Sequence, residues 1–457
     1  MNTNMKNIFR SAELEIKNQI NKNIDTRKSF SYAKNQQSKT RNIFESASVA
    51  QENHHGLAAL STNVLTGDNA IDVMRDMDVR ATFRELFGKK NVLASDIGCH
   101  PDFLHLRNSE YLENGYSVTM FMDIAGSTKL GRLYSPEVVF NIKNTIIKYA
   151  ITIIQAFDGH VHRIMGDAVM AFFRSKDKIQ SNRQMDSAID SLNSAIYLIE
   201  FMENIITPIL NNIGTEDPIG IRIGMDYGLH DDIVWGNYGA YNAFEVTATS
   251  YYVDVAAKLQ QVAKTNKIMI GENFKNLIGF GEEYLSRLER IRNGETKIIN
   301  YVKPNYKVHG RLVNYNQYEL KNKSLFNYLP FGTLFNSSIE VKLFAKNKIT
   351  GTVTEYKNCS LALDKHLELS FKVKYKNEIQ AKKLFIKSRK QNTGPEARSN
   401  NAHNPIIKIQ QMSYYGYEFH GEITESTLYK GLHHMYIDIC DENNQVIEST
   451  CFSLYIL

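Results

Sequence analysis

Two carboxylates at the ends of two predicted buried strands constrain this chain more than any other feature. The run Val118-Thr-Met-Phe-Met-Asp123 is nearly continuous in apolar residues, as expected of a strand buried on both faces, and it breaks at Gly126-Ser127-Thr128. Next, Ser135 reads as an N-cap and Pro136 as a first helical residue, ahead of an amphipathic helix bearing Val138, Ile142, Ile146, Ile147 and Ala150. Asp158-Gly159 ends that helix. Val161 to Met165 and Ala168 to Phe173 are then two short strands around Gly166-Asp167, a hairpin turn that needs positive φ. Neighbouring strands can bring Asp123 and Asp167 together over divalent ions, magnesium or manganese, which need few protein ligands when phosphate oxygens complete the shell. Backbone N–H groups of Ala125 to Thr128, at a helix start, can cradle a triphosphate. A plainer reading takes the first glycine loop as a helix cap and the second as a turn only. The occurrence of both on strands flanking one helix favours the metal reading.

The rest of the chain sets this stretch in context. At 457 residues it exceeds one ordinary core, and two to three domains are expected. Residues 1 to about 46 are rich in Asn, Lys, Gln and Ser, with Ile8, Phe9, Leu14, Ile16 and Ile20 loosely spaced, which describes a marginal helix needing a partner surface. Ala70 to Met77 and Ala81 to Phe87 also show helical spacing. A second long helix is expected over Met185 to Ile209, a glycine-thinned strand over Ile219 to Gly228, a helix from Tyr251 and a strand at Lys267 to Ile270. The order β-α-β-β-α-β is that of a ferredoxin-like sheet with helices on one face. From Ser337 onward short alternating runs such as Leu367 to Tyr375 and His434 to Cys440 indicate a β-sandwich, with Gln391 to Asn404 as a long loop. The expected fold is therefore α+β, divided into a helical region at 1–114, a catalytic domain at 115–322 and a β-sandwich at 323–457. Four scattered cysteines without metal-ligand spacing, no apolar run long enough for a bilayer and no secretory signal favour a reduced, cytoplasmic setting. A net charge of +5 is modest for this length and demands neither DNA nor membrane as partner.

Phe121-Met-Asp-Ile-Ala-Gly-Ser-Thr128, Gly166-Asp167-Ala-Val-Met-Ala-Phe, Gly224 to Gly228 and Val253-Asp-Val-Ala-Ala-Lys-Leu259 together resemble the class III nucleotidyl cyclases, over about residues 115 to 320. The resemblance implies a head-to-tail homodimer with two composite sites, metals held by one protomer and base and transition state by the other. It implies attack of the ribose 3′-hydroxyl on the α-phosphate with loss of pyrophosphate. Carried over by position, Asp123, Ile124 and Asp167 form the set for two Mn2+ or Mg2+ ions, and Gly126, Ser127 and Thr128 the triphosphate loop. Arg163, three residues before Gly166, and Thr247, seven before Asp254, stand at the base-reading positions. Asp254 and Lys258 replace the family's usual asparagine and arginine; lysine keeps the positive charge, but an ionised aspartate cannot donate a hydrogen bond. An i,i+4 ion pair is their plainer reading. Lys307 is the candidate for the triphosphate tail.

An arginine fork can donate to O2 and N3 of cytosine, whereas uracil interposes an N3–H donor, so CTP is favoured over UTP. Adenine N1 and N6 remain readable, and Thr247 excludes little. Leu432 to Val446, after Tyr429-Lys-Gly431, resembles the sensor domain appended to bacterial cyclase-like and oligonucleotide-synthase-like defence proteins. Cyclase plus sensor resembles the pyrimidine cyclases of the bacterial Pycsar antiphage systems. That resemblance implies a cyclic CMP or cyclic UMP product that signals to a separate cyclic-nucleotide-binding effector. A conventional adenylate cyclase and an inactive cyclase-homology binding module stay open as alternatives.

Overall fold

The computed structural model describes residues 3–18, 20–21, 79–89, 97–175, 183–211, 219–240, 243–292, 294–304, 306–335, 338–376 and 383–457. The helical spacing at Ala70 to Met77 lies outside them. Among the described residues no helix is long and apolar enough to cross a membrane.

The central run forms β1 (Ser117–Ala125), the short α1 (Ser127–Leu133), α2 (Pro136–Ala156), β2 (His160–Met165), β3 (Ala168–Phe173), α3 (Gln184–Phe201) and β4 (Gly220–Gly228). The hairpin strands β5 (Val234–Ala240) and β6 (Ala243–Thr249), α4 (Tyr251–Val262), β7 (Lys267–Gly271), β8 (Leu285–Ser286) and β9 (Gln317–Leu320) complete the domain. One seven-stranded sheet runs in the order β2-β3-β1-β4-β7-β9-β8, with β4 and β7 its parallel pair. The apolar side chains of β1 divide by strand alternation: Val118, Met120 and Met122 enter the core beneath α2 and α3. Phe121 points to the other face, toward a smaller cluster around Trp235.

The two helices of the expected repeat share one face of the sheet, whereas α4 lies on the opposite face with Val255 and Leu259 against Met269. Gly224 makes this possible. A Cβ there would run into the backbone of Ala256 and Gln260, so the missing side chain sets how closely α4 approaches β4.

α3 is buried along almost its whole length, on its polar as well as its apolar side. Its apolar side packs on the sheet, and three side chains of its polar side bond the chain around it. Asn193 donates to the Cys359 carbonyl at 3.0 Å, Tyr197 to the Pro330 carbonyl at 2.9 Å, and Asp186 accepts from the Ala362 N–H at 2.8 Å. A five-residue π-helical turn, Met202–Ile206, carries the helix on toward Asn211. The described N-terminal helix finds the partner surface its sequence demanded: Phe9 stands 4.9 Å from Phe201 between ring centroids, and Ser11 bonds the Tyr149 hydroxyl at 2.6 Å.

From Ile339 the chain forms two five-stranded sheets packed face to face around Leu343, Phe371, Ile386, Phe419, Ile437 and Phe452, the expected sandwich. The expected long loop at Gln391 to Asn404 is corrected by a short helix, Pro395–Ser399, which Pro395 starts; Glu396 in its first turn accepts the Lys430 N–H at 2.7 Å. Replacing Gly224 with alanine should force α4 off the sheet, an overpacking effect on the order of 1–3 kcal/mol. Thermal unfolding should show a midpoint lowered by several degrees.

Candidate active site

Asp123 lies near the end of β1, and Asp167 lies in the turn between β2 and β3. Pairing of β1 with β3 sets Asp123 opposite Ala168, so the two acids become neighbours across adjacent strands. The Ile124 N–H donates to the Asp167 carbonyl at 3.3 Å, tying the turn to the strand end. Gly126 and Gly166 turn these corners with φ of 80° and 65°, a left-handed conformation that favours glycine.

Neither acid stands without a cation. Arg222, opposite Asp123 on β4, donates from Nε to Oδ1 at 2.9 Å and from Nη2 to Oδ2 at 2.5 Å. The Ser127 hydroxyl donates to Asp167 Oδ2, and Lys143 Nζ on α2 reaches the same oxygen at 3.2 Å. Burial works against the charge on Asp167, but the Ser127 and Lys143 contacts outweigh it and hold the carboxyl below its ordinary value. The hydrogen bonds to Asp123 raise the Arg222 guanidinium above its usual value. Two like charges on adjacent strands repel unless such partners are present. The side chains of Asp123 and Asp167 remain 19% and 29% exposed, so both keep an open side. Two adjacent carboxylates supply hard oxygen donors and few of them, which fits a divalent ion that completes its shell with phosphate and water.

The other residues singled out in the sequence lie on several elements. Arg163 sits on β2 at a bulge, where the pairing register with β3 shifts between Val161 and Arg163, and its guanidinium forms a bidentate pair with Glu245 on β6. Thr247, two residues further along β6, is buried. These define a second cluster, joined to β2 through Gly98, whose N–H donates to the His162 carbonyl at 2.8 Å and whose carbonyl accepts from Val246 at 2.9 Å. Asp254 is exposed on α4 one turn before the half-buried Lys258. Lys307 is exposed on a small hairpin, Tyr306–Val308 with Arg311–Val313, outside the main sheet. Among the described residues its side chain makes no contact with Asp123 or Asp167. The Ser127 hydroxyl is taken up by Asp167, leaving the backbone of the loop and exposed Thr128 for a ligand.

Sequence reasoning missed Arg222, Lys143 and Glu245. An arginine inside the otherwise buried run Ile219 to Gly228 was the one legible sign, since a charge there needs an acid. Lys143 looked like any solvated helix residue, and Glu245 like the start of a hairpin.

Residues 111–302 match the adenylate and guanylate cyclase catalytic domain, and residues 316–457 match the adenylyl/guanylyl and SMODS C-terminal sensor domain. A cytidylate cyclase of Escherichia coli is 41% identical over 391 residues, covering 83% of this chain and 82% of that protein. A cytidylate cyclase of Staphylococcus aureus is 33% identical over 82% of this chain and 86% of its own length. Among solved structures, the adenylyl cyclase CyaB of P. aeruginosa covers 46% of this chain and 95% of its own at 20% identity with a TM-score of 0.36.

The ion pair at Asp123 generates a test that needs no turnover. Arg222→Leu leaves two adjacent carboxylates with one cation fewer, and the metal-free variant should melt a few degrees, roughly 2–5 °C, below the unaltered protein. Added Mg2+ or Mn2+ should raise its midpoint more than it raises that of the unaltered protein, because the ion then supplies the missing charge. Equal metal responses in the two proteins would count against Asp123 as a ligand.

Proposed function

The chain belongs to the cytidylate cyclase family, and from that membership we propose that it converts CTP to 3′,5′-cyclic CMP and pyrophosphate as the signal generator of a bacterial antiphage defence system. The observation that carries the chemistry is the adjacency of Asp123 and Asp167, each with one open side, beside the Gly126 corner. The relatives named cytidylate cyclase support the choice of base, as does the arginine at position 163.

Asp123 and Asp167, with Ile124 beside them, would hold two divalent ions, Mg2+ or Mn2+. Such ions, when bound, lower the charge on the triphosphate and make the 3′-hydroxyl a better nucleophile. Everything else falls to the chain. Backbone N–H groups of Ala125 to Thr128 hold phosphate oxygens at the start of α1, and Lys307 is assigned to the triphosphate tail. Lys258 places positive charge where the pentavalent phosphorus gathers negative charge, and Asp254 accepts from a ribose hydroxyl instead of donating. Arg163 and Thr247 read the base. In the reaction the O3′–Pα bond forms as the bond from Pα to the bridging oxygen of pyrophosphate breaks.

Arg163 and the carboxylate pair form separate clusters within one chain. That separation favours a homodimer whose two sites each take metals from one protomer and the base reader from the other. The cyclic nucleotide would then act on a separate cyclic-nucleotide-binding effector.

Two experiments test this reading. Incubating the purified protein with each of the four nucleoside triphosphates and Mn2+ should give cyclic CMP from CTP as the principal product. Asp123→Ala and Asp167→Ala should each cut that yield by about a hundredfold or more. An intact yield from either variant sinks the metal assignment. For the composite site, Asp123→Ala and Arg163→Ala proteins, each inactive alone, should recover activity when mixed and allowed to exchange. One heterodimer site would then be intact, giving about a quarter of the unaltered rate for random pairing in a two-fold dimer. Absence of recovery despite demonstrated exchange would mean that a single protomer supplies both residues to each site.

A further inference from the structure

The Arg163–Glu245 pair is built with more care than a surface salt bridge. Glu245 Oε2 accepts from Arg163 Nε at 2.5 Å, and Oε1 accepts from Nη2. This leaves Nη1 and the second hydrogen of Nη2 on the outer edge of the fork. The Glu245 side chain is 19% exposed and that of Arg163 37%, so the pair shows one edge to solvent. Behind it lies His162, fully buried, with Nε2 3.6 Å from Glu245 Oε2 and, among the described residues, no hydrogen-bond partner on either ring nitrogen. Burial, then the charges of His160 and Arg163, push His162 down to about 3, so a neutral ring backs the carboxylate.

Two features of the backbone aim the pair. The bulge at His162 puts an extra residue into β2, and consecutive side chains part company: His162 packs on Phe172 while Arg163 faces Glu245. On β6, Val246 and Ala248 enter the cluster around Trp235. Strand alternation therefore sets Glu245 and Thr247 on the opposite face, beside each other.

We propose that Glu245 is a specificity-determining residue, accepting a hydrogen bond from the exocyclic amine of cytosine while Arg163 donates to N3 and O2. The inference rests on the reading of the chain as a CTP cyclase with Arg163 at the base. A carboxylate oxygen held by one guanidinium hydrogen keeps a lone pair for a second donor. Cytosine presents an amine, an acceptor nitrogen and an acceptor oxygen in a row, and a carboxylate accepting from N4 is a favourable match. Uracil reverses two of these positions. Its O4 would face the carboxylate and its N3–H the guanidinium, leaving like polarities opposed and partners unpaired. Guanine fails likewise at O6. Adenine matches at N6 and N1, so the pair separates amino bases from oxo bases and leaves purine exclusion to the shape of the pocket.

The test compares kcat/KM for CTP and UTP in the full-length protein and in Glu245→Gln and Glu245→Asp variants. A glutamine amide can rotate its N–H2 toward uracil O4, so Glu245→Gln should lower the CTP-to-UTP ratio by about tenfold or more. Glu245→Asp keeps the acceptor and should retain the preference for CTP, though with a higher KM. General loss of activity or of packing lowers both substrates together and cancels in the ratio. Where turnover of a variant is too slow to follow, binding of the non-hydrolysable α,β-methylene analogues of CTP and UTP, measured by calorimetry, gives the same ratio. A ratio within about twofold of the unaltered protein in Glu245→Gln overturns the proposal. If the unaltered protein makes no cyclic CMP at all, it is the functional reading that falls.

Discussion

Electrostatic repulsion between Asp123 and Asp167 is the constraint to which the rest of the domain answers. Strand register makes them neighbours, so their charges must be met from outside the pair. Arg222 comes from the adjacent strand, Lys143 from the helix that joins the first two strands, and Ser127 from the start of the short α1. Three separate elements thus converge on two carboxylates. Within the chain, the charge of each carboxylate is thus balanced by a cation.

The second cluster follows the same logic in reverse. Arg163 carries a charge on a strand whose other side chains are largely apolar, and Glu245 answers it from a hairpin more than eighty residues later in the chain. Asp123 and Arg163 lie on strands of the seven-stranded sheet, whereas Glu245 and Thr247 belong to a separate three-stranded sheet that contains β5 and β6. Within one chain the acid pair and the Arg163–Glu245 pair are separate parts of the domain.

The C-terminal sandwich is joined to this sheet through polar contacts as well as apolar ones. Asp186, Asn193 and Tyr197 of α3 bond the backbone at Ala362, Cys359 and Pro330. Further along, the Tyr284 hydroxyl bonds His434, whose ring stacks on Tyr328 at 3.9 Å. Buried hydrogen bonds of this kind fix one arrangement of the two units, because sliding either would leave polar groups without partners. α3 therefore serves as core helix of the sheet and as base for the sandwich at once.

Periodicity and turn chemistry by themselves determined most of the architecture: the apolar β1, the Ser135-Pro136 helix start, the glycine corners around both acids and the alternating strands after Ser337. These are local signals, written within a few residues of where they act. The two acids were legible because a lone carboxylate on a buried strand has no packing role. Asp226 shows the limit of that argument. It too is a carboxylate on a buried strand, yet the Tyr315 hydroxyl at 2.8 Å and two backbone N–H groups absorb it into the core. Tertiary structure alone decided that Arg222 and Lys143 cover the acids, that Glu245 holds Arg163 and that α4 takes the opposite face. Each of these depends on strand order and on contacts between residues distant in sequence, which no local pattern encodes.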